Sequence, residues 1–132
     1  PILLAAKDGS CVAAIHAGWR GLAAGVIEET VKHLPVPPAE LVAAIGPCIS
    51  AEHYEVGEDV IESEGVVGDS FPTRLPNHRY KLDLISIAKL ILTRQSVQDV
   101  NRVGCCTYRF NRGQFSYRMA ALTGRFSGYI KA

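Results

Sequence analysis

The chain has 132 residues, 48% of them hydrophobic and 20% charged, with 14 Lys and Arg against 13 Asp and Glu. That is the size of one ordinary domain with enough apolar material for a core, which excludes intrinsic disorder. The longest apolar runs, such as Ile2 to Ala6 and Leu90 to Leu92, fall far short of the roughly 20 residues of a membrane-spanning helix, so no span is expected.

In chain order, Pro1 to Ala6 and Cys11 to His16 read as two β-strands joined at Asp8-Gly9, a hairpin signal, and their apolar runs predict burial on both faces. Ala17 to Gly21 reads as a glycine-containing turn. From Leu22 to Leu34 the residues Leu22, Val26, Ile27, Thr30, Val31 and Leu34 share one helical face, and Pro35, Pro37 and Pro38 stop that helix. Leu41 to Ile45 is a short strand broken by Gly46-Pro47. Tyr54 to Glu64 is expected as a second short helix, and 65–79 as a long loop. Asp83 is placed to cap a helix running from Leu84 to about Arg94. Val100 to Tyr108, Gln114 to Arg118 and Gly124 to Ile130 read as strands, the first two joined by a turn at Asn111-Arg112-Gly113. Strands come as hairpins with helices between them, which favours a mixed-sheet α+β fold over a doubly wound one.

The net charge of +1 hides an asymmetry. From Glu28 to Asp69 there are ten acidic residues and one lysine, Lys32, whereas from Asn101 onward there are six basic residues (Arg102, Arg109, Arg112, Arg118, Arg125 and Lys131) and no acid. Two readings follow: the basic segment meets an anionic partner, or it lies against the acidic segment and neutralises it. The arginines are spread through strand-like sequence and no helix-turn-helix or ribonucleoprotein motif occurs, so the partner expected is a small anion and not a nucleic acid.

His16-Ala17-Gly18-Trp19-Arg20-Gly21 is the sharpest local signal. An imidazole ends an apolar strand and a guanidinium follows just before a helix, where free N–H groups attract anions. Arg20 offers a planar fork for phosphate or carboxylate. His16 suits two roles, metal ligand through a neutral ring nitrogen or general base near neutral pH. The plain alternative is a satisfied core histidine beside a buried Trp19. No GxxxxGK[ST] segment is present, which excludes a nucleotide P-loop. Cys48 follows Gly46-Pro47 at a strand end, where a thiol serves as nucleophile, ligand or buried filler, filler being favoured. Cys11, Cys48, Cys105 and Cys106 show no CxxC spacing, and reduced thiols in a cytoplasmic setting are expected. Ser116 and Arg118 share one face of their strand and can line an anion site or simply face solvent. Thr123-Gly124-Arg125 reads as a turn, and His33, His53 and His78 as exposed.

Taken in order, the His16 to Gly21 motif, Gly46-Pro47-Cys48-Ile49 with Tyr54-Glu55-Val56-Gly57, Leu82-Asp83-Leu84, Cys106-Thr107, Phe115-Ser116-Tyr117-Arg118 and Thr123-Gly124-Arg125 resemble the YfiH-type family. That family is also called the laccase-domain, multicopper polyphenol oxidase or peptidoglycan editing factor family, and the resemblance covers essentially the whole chain. It implies an α+β four-layer α/β/β/α sandwich, as in the cytotoxic necrotising factor catalytic fold. It also implies a zinc site of two histidines and one cysteine, in which His16 is one ligand. The cysteine of that set precedes the strand matched by Pro1-Ile2-Leu3-Leu4, and none of the four cysteines here takes its place. The chain is therefore expected to be the C-terminal part of a longer domain cut at Pro1. A single imidazole binds zinc weakly, so the remaining ligands are expected upstream.

The activity implied is zinc-dependent phosphorolysis of adenosine, inosine or methylthioadenosine, together with adenosine deamination. Arg20 is the catalytic companion of His16, and Arg20, Ser116 and Arg118 are the substrate-binding candidates. Cys48 is expected to pack around the site. A purine nucleoside and phosphate are the expected partners of a monomeric cytoplasmic protein. Three rivals remain at this level: a copper-dependent polyphenol oxidase, a hydrolase editing a cell-wall precursor, and a fragment with only a structural or binding role.

Overall fold

The computed structural model describes residues 1–62, 72–109, 115, 116, 118 and 127–132. Strands β1 (Ile2–Ala6) and β2 (Val12–Ile15) form the predicted hairpin, antiparallel, with Ile2 opposite Ile15 and Ala5 opposite Val12. Asp8 tightens its turn by accepting the Ser10 N–H at 2.9 Å. Strand β3 (Leu41–Ile45) pairs antiparallel with the other edge of β1, and β7 (Asp99–Arg102) pairs parallel with β3, so the four-stranded sheet runs β2-β1-β3-β7. A smaller antiparallel sheet joins β4 (Glu55–Val56), β5 (Thr73–Arg74) and β6 (Tyr80–Lys81) in the order β4-β6-β5. The fold is α+β with mixed sheets, as the hairpin-and-helix order predicted.

Alternation along the strands sets the core. Ile2, Leu4, Ala6, Ile15, Leu41, Ala43 and Ile45 are buried on one face of the larger sheet. They cluster with Ile27 and Val31 of α2 (Val26–His33) and with Ile87, Ala88, Ile91 and Leu92 of α4 (Leu84–Arg94). The opposite face is apolar too. Leu3, Ala5, Val12, Val42 and Ala44 are half-buried there and Ala14 is exposed. No helix among the described residues is long and apolar enough to cross a membrane.

Several elements depart from the sequence reading. The helix expected over Leu22 to Leu34 is two helices, α1 (Trp19–Ala23) and α2. Gly25 divides them with φ +75° and ψ +29°, the left-handed conformation that ends a helix and that glycine adopts without a Cβ penalty. The apolar stripe continues across the break because both helices face the same core, so periodicity alone hides it. Leu34 then turns extended, as the residue before a proline must. The helix expected over Tyr54 to Glu64 is strand β4 followed by the four-residue α3 (Glu58–Ile61). The Val100 to Tyr108 strand is only β7, because Gly104 at φ +96° ends the regular run. Residues 127–130 form no strand. The turns expected at Asn111-Arg112-Gly113 and Thr123-Gly124-Arg125 lie outside the described residues, as do Gln114 and Tyr117. Phe115, Ser116 and Arg118 of the expected Gln114 to Arg118 strand are described and form no strand, Arg118 standing in a turn.

Candidate functional site

Strand β2 ends at Ile15 and delivers His16 to the surface, where it is exposed. The core-histidine alternative therefore fails, and Trp19 is half-buried instead of buried. The ring lies over the following turn, its Nε2 being 3.7 Å from where a Cβ on Gly18 would sit. The helix begins at Trp19 rather than Leu22, because the Leu22 N–H already donates to the Gly18 carbonyl at 2.9 Å. Arg20 thus belongs to the first turn of α1. Its guanidinium carbon stands 4.5 Å from the centre of the Trp19 ring, a cation–π contact that steadies an otherwise exposed side chain. With only five residues, α1 has few aligned peptide dipoles to offer an anion, so the guanidinium is the stronger electrostatic feature here.

A second group gathers around Tyr54, which is 8% exposed. The Arg118 guanidinium carbon lies 5.0 Å from the Tyr54 ring centre, and Arg118 Nη1 donates to the Glu55 carbonyl at 2.9 Å. Arg79 reaches the same residue, with Nη2 donating to that carbonyl at 3.4 Å and Nε 3.7 Å from Glu55 Oε2. Burial pushes the Tyr54 phenol up, against the pull of the Arg118 and Arg20 charges and a hydrogen bond from Arg118. Both predicted anion-binding arginines therefore act on one phenol, although Arg20 and Arg118 are 98 positions apart in the chain. Ser116, two residues before Arg118, is half-buried.

Two contacts among the described residues join the basic C-terminal segment to the acidic one, one of them an exposed ion pair. Arg109 Nη1 lies 3.8 Å from Glu52 Oε2, and Arg118 binds the backbone of Glu55. His53, expected to be exposed, is half-buried and stacked on Tyr108 with ring centres 4.6 Å apart. Cys48 is also half-buried, and burial raises its thiol; the charged groups acting on it are the Pro1 amino group, Arg102, Asp83 and Cys106.

The sequence singled out His16, Arg20 and Arg118 as candidates and did not show that Arg118 packs on Tyr54 or that Arg79 joins it at Glu55. Tyr54 carried a family motif but no chemical pattern of its own, since its role depends on a residue 64 positions away. Among the described residues, no group of three or more His, Cys, Asp and Glu side chains is arranged to hold a metal ion. Of the zinc set implied by the family resemblance, His16 is the ligand in view, and the described residues do not make a zinc site by themselves. An open groove between β2 and α2, lined by Ala13, Val26, Glu29, Thr30, His33 and Leu34, contains none of the candidate residues.

Comparison with known proteins places these features in context. The family profile described as multi-copper polyphenol oxidoreductase laccase matches residues 1–132. A Shigella flexneri protein named purine nucleoside phosphorylase YfiH is 37% identical over 132 residues, covering 98% of this chain and 54% of the relative. The crystal structure of a Neisseria meningitidis protein superposes with a TM-score of 0.77 at 36% identity, over 89% of this chain and 50% of that one. YlmD from Geobacillus stearothermophilus superposes with a TM-score of 0.77 at 27% identity, over 90% of this chain and 48% of its own. The chain thus spans about half the length of the relatives it matches. Its match along the whole sequence and its agreement in fold establish that this chain belongs to the multi-copper polyphenol oxidoreductase laccase family, the family of YfiH.

Proposed function

We propose that the protein containing this chain cleaves purine nucleosides by phosphorolysis, with Arg20 and Arg118 gripping the phosphate. The observation that carries this reading is Arg118 held against the Tyr54 ring, with the Arg20 charge acting on the same phenol. In phosphorolysis a phosphate oxygen bonds to the sugar carbon as the bond to the purine nitrogen breaks, giving free base and a sugar 1-phosphate. The protein must neutralise the incoming charge and hold it in line, which is work for fixed guanidinium groups. Arg118 is pre-positioned by the Tyr54 ring and the Glu55 carbonyl, so it loses little freedom on binding. Ser116, two residues earlier in the chain, is the further substrate-binding candidate of this reading. His16, exposed at the strand end, serves as proton carrier or metal ligand.

In this reading the chain is the C-terminal part of a longer single domain, monomeric and cytoplasmic, and the fold is completed as a four-layer α/β/β/α sandwich. The apolar second face of the larger sheet supports that architecture, since a sheet bearing Leu3, Ala5, Val12, Val42 and Ala44 outward needs a covering layer. Zinc belongs to the proposal through His16 alone, with the other ligands upstream and Cys48 packed nearby. Adenosine deamination is a companion activity of the same proposal.

The test is product analysis on the full-length protein with inosine and phosphate. Free hypoxanthine and ribose 1-phosphate are expected. Arg118→Ala is expected to raise the KM for phosphate by roughly tenfold or more, the worth of a hydrogen bond to a charged group. Absence of phosphate-dependent base release in the unmodified protein would sink the reading. The family's description favours one competing reading, oxidation of polyphenols; oxygen uptake on a phenol without phosphorolysis would select it.

A further inference from the structure

Beyond the nucleoside site, the segments leaving β3 and β7 stay paired past the ends of both strands. The Val103 N–H donates to the Ile45 carbonyl at 2.8 Å, Cys48 and Cys106 form an isolated parallel bridge, and the Thr107 N–H donates to the Cys48 carbonyl at 3.1 Å. Neighbouring strands lie about 4.8 Å apart. Bridged residues at that spacing fall inside the window of about 4.4–6.8 Å between Cα atoms that a disulfide spans. Residues opposite one another in a pair also send their side chains from the same face.

The two thiols are chemically unequal. Cys106 is 7% exposed, and its Sγ accepts hydrogen bonds from Ser50 Oγ at 3.1 Å and from the Ser50 N–H at 3.3 Å. Burial works against its thiolate, but these donors and the backbone N–H groups of Arg109 and Tyr108 hold the thiol below its ordinary range. Cys48 is half-buried and pushed up by burial. The pair thus has an attacking sulfur set in a ring of donors and a neutral thiol beside it, the arrangement of a peroxidatic and a resolving cysteine.

We propose that Cys48 and Cys106 are a redox modification site that closes to a disulfide on exposure to hydrogen peroxide. The Cys106 thiolate sulfur bonds to one peroxide oxygen, the O–O bond breaks, and the departing hydroxide takes the Cys48 proton to leave as water. Cys48 sulfur then attacks the Cys106 sulfenic acid, the S–S bond forms and the S–O bond breaks, releasing hydroxide that is protonated to the second water. Two thiols lose two electrons and the peroxide gains them.

The experiment treats the folded protein with hydrogen peroxide, denatures it, alkylates the remaining thiols and maps the peptides. Of the four cysteines of this chain, only Cys11 and Cys105 are expected to be alkylated, with the peptides of Cys48 and Cys106 joined and dithiothreitol restoring all four. Four alkylated cysteines, or a crosslink through Cys11 or Cys105, overturns the proposal. Cys48→Ser is expected to accumulate a Cys106 sulfenic acid that dimedone captures; an unlabelled Cys106 in that variant also overturns it. Ser50→Ala is expected to move the pH profile of the oxidation rate upward, slowing it several-fold near neutrality and little in alkali, where the thiol ionises unaided. An unmoved profile means the donors around Cys106 do not set its reactivity, and the proposal fails.

Discussion

Tyr54 keeps its proton because opposing influences meet at one oxygen: burial favours the neutral phenol, while Arg118 and Arg20 favour the phenolate, and burial wins. A group whose folded pKa is raised adds stability that is fully present below the unfolded pKa and is lost as pH rises through the folded value. Tyr54 therefore stabilises the fold at neutral pH and withdraws that support in alkali. Absorbance titration should show a tyrosine step displaced to high pH, and Tyr54→Phe should remove that late step. A late step that persists in Tyr54→Phe would assign it elsewhere. Cys106 has the opposite sign: its support is present above the unfolded thiol pKa and fades as pH falls through the lowered folded one. His16 and Arg20 were legible as single residues because a strand end and a following helix mark them locally. The Arg118 to Tyr54 contact was not, because 63 residues separate Arg118 from its hydrogen-bond acceptor Glu55 and only the packed chain brings them together.

At the scale of elements, α4 was readable from its first residue. Asp83 Oδ1 accepts the N–H groups of Ile85 at 3.0 Å and Ser86 at 3.1 Å, and Oδ2 accepts the Ser86 hydroxyl at 2.8 Å. Asp83→Ala frees those donors and should cost about 1 kcal/mol, with Asp83→Asn recovering most of it. Equilibrium urea unfolding reads the difference, and an unchanged midpoint in Asp83→Ala would mean that water or a neighbouring group serves the helix end equally well. The β1–β2 hairpin was as legible, since alternation and a turn signal agreed. The division between α1 and α2 was not, because one backbone dihedral at Gly25 decides it while the apolar stripe runs on. The acidic stretch after Tyr54 misled for a related reason. Its charges suit a solvated helix, but pairing of Val56 with Tyr80 draws the chain into a strand first.

For the whole molecule, the sequence order of hairpins and helices pointed to mixed sheets, and the parallel β3–β7 pair is what makes the larger sheet mixed. That pairing joins residues more than 50 positions apart and leaves no local trace in β7, three of whose four residues are exposed. Among the described residues, the two rims of this sheet are built differently. At one rim β7 shows Asp99, Asn101 and Arg102 to water, a charged border that discourages a stray strand. At the other, β2 reads Val12-Ala13-Ala14-Ile15 with no charge at all. A rim of that kind is a template for adhesion, so these 132 residues expressed by themselves should self-associate as concentration rises, through β2 and not through β7. Ala14→Lys, at an exposed position, brings like charges near each other across such a pair and should weaken the association roughly two- to fivefold in sedimentation velocity. Equal association with and without the lysine would place the contact elsewhere. Half of a YfiH-like chain therefore carries its own solubility problem along one strand, and what lies beside that strand governs whether the protein stays dispersed.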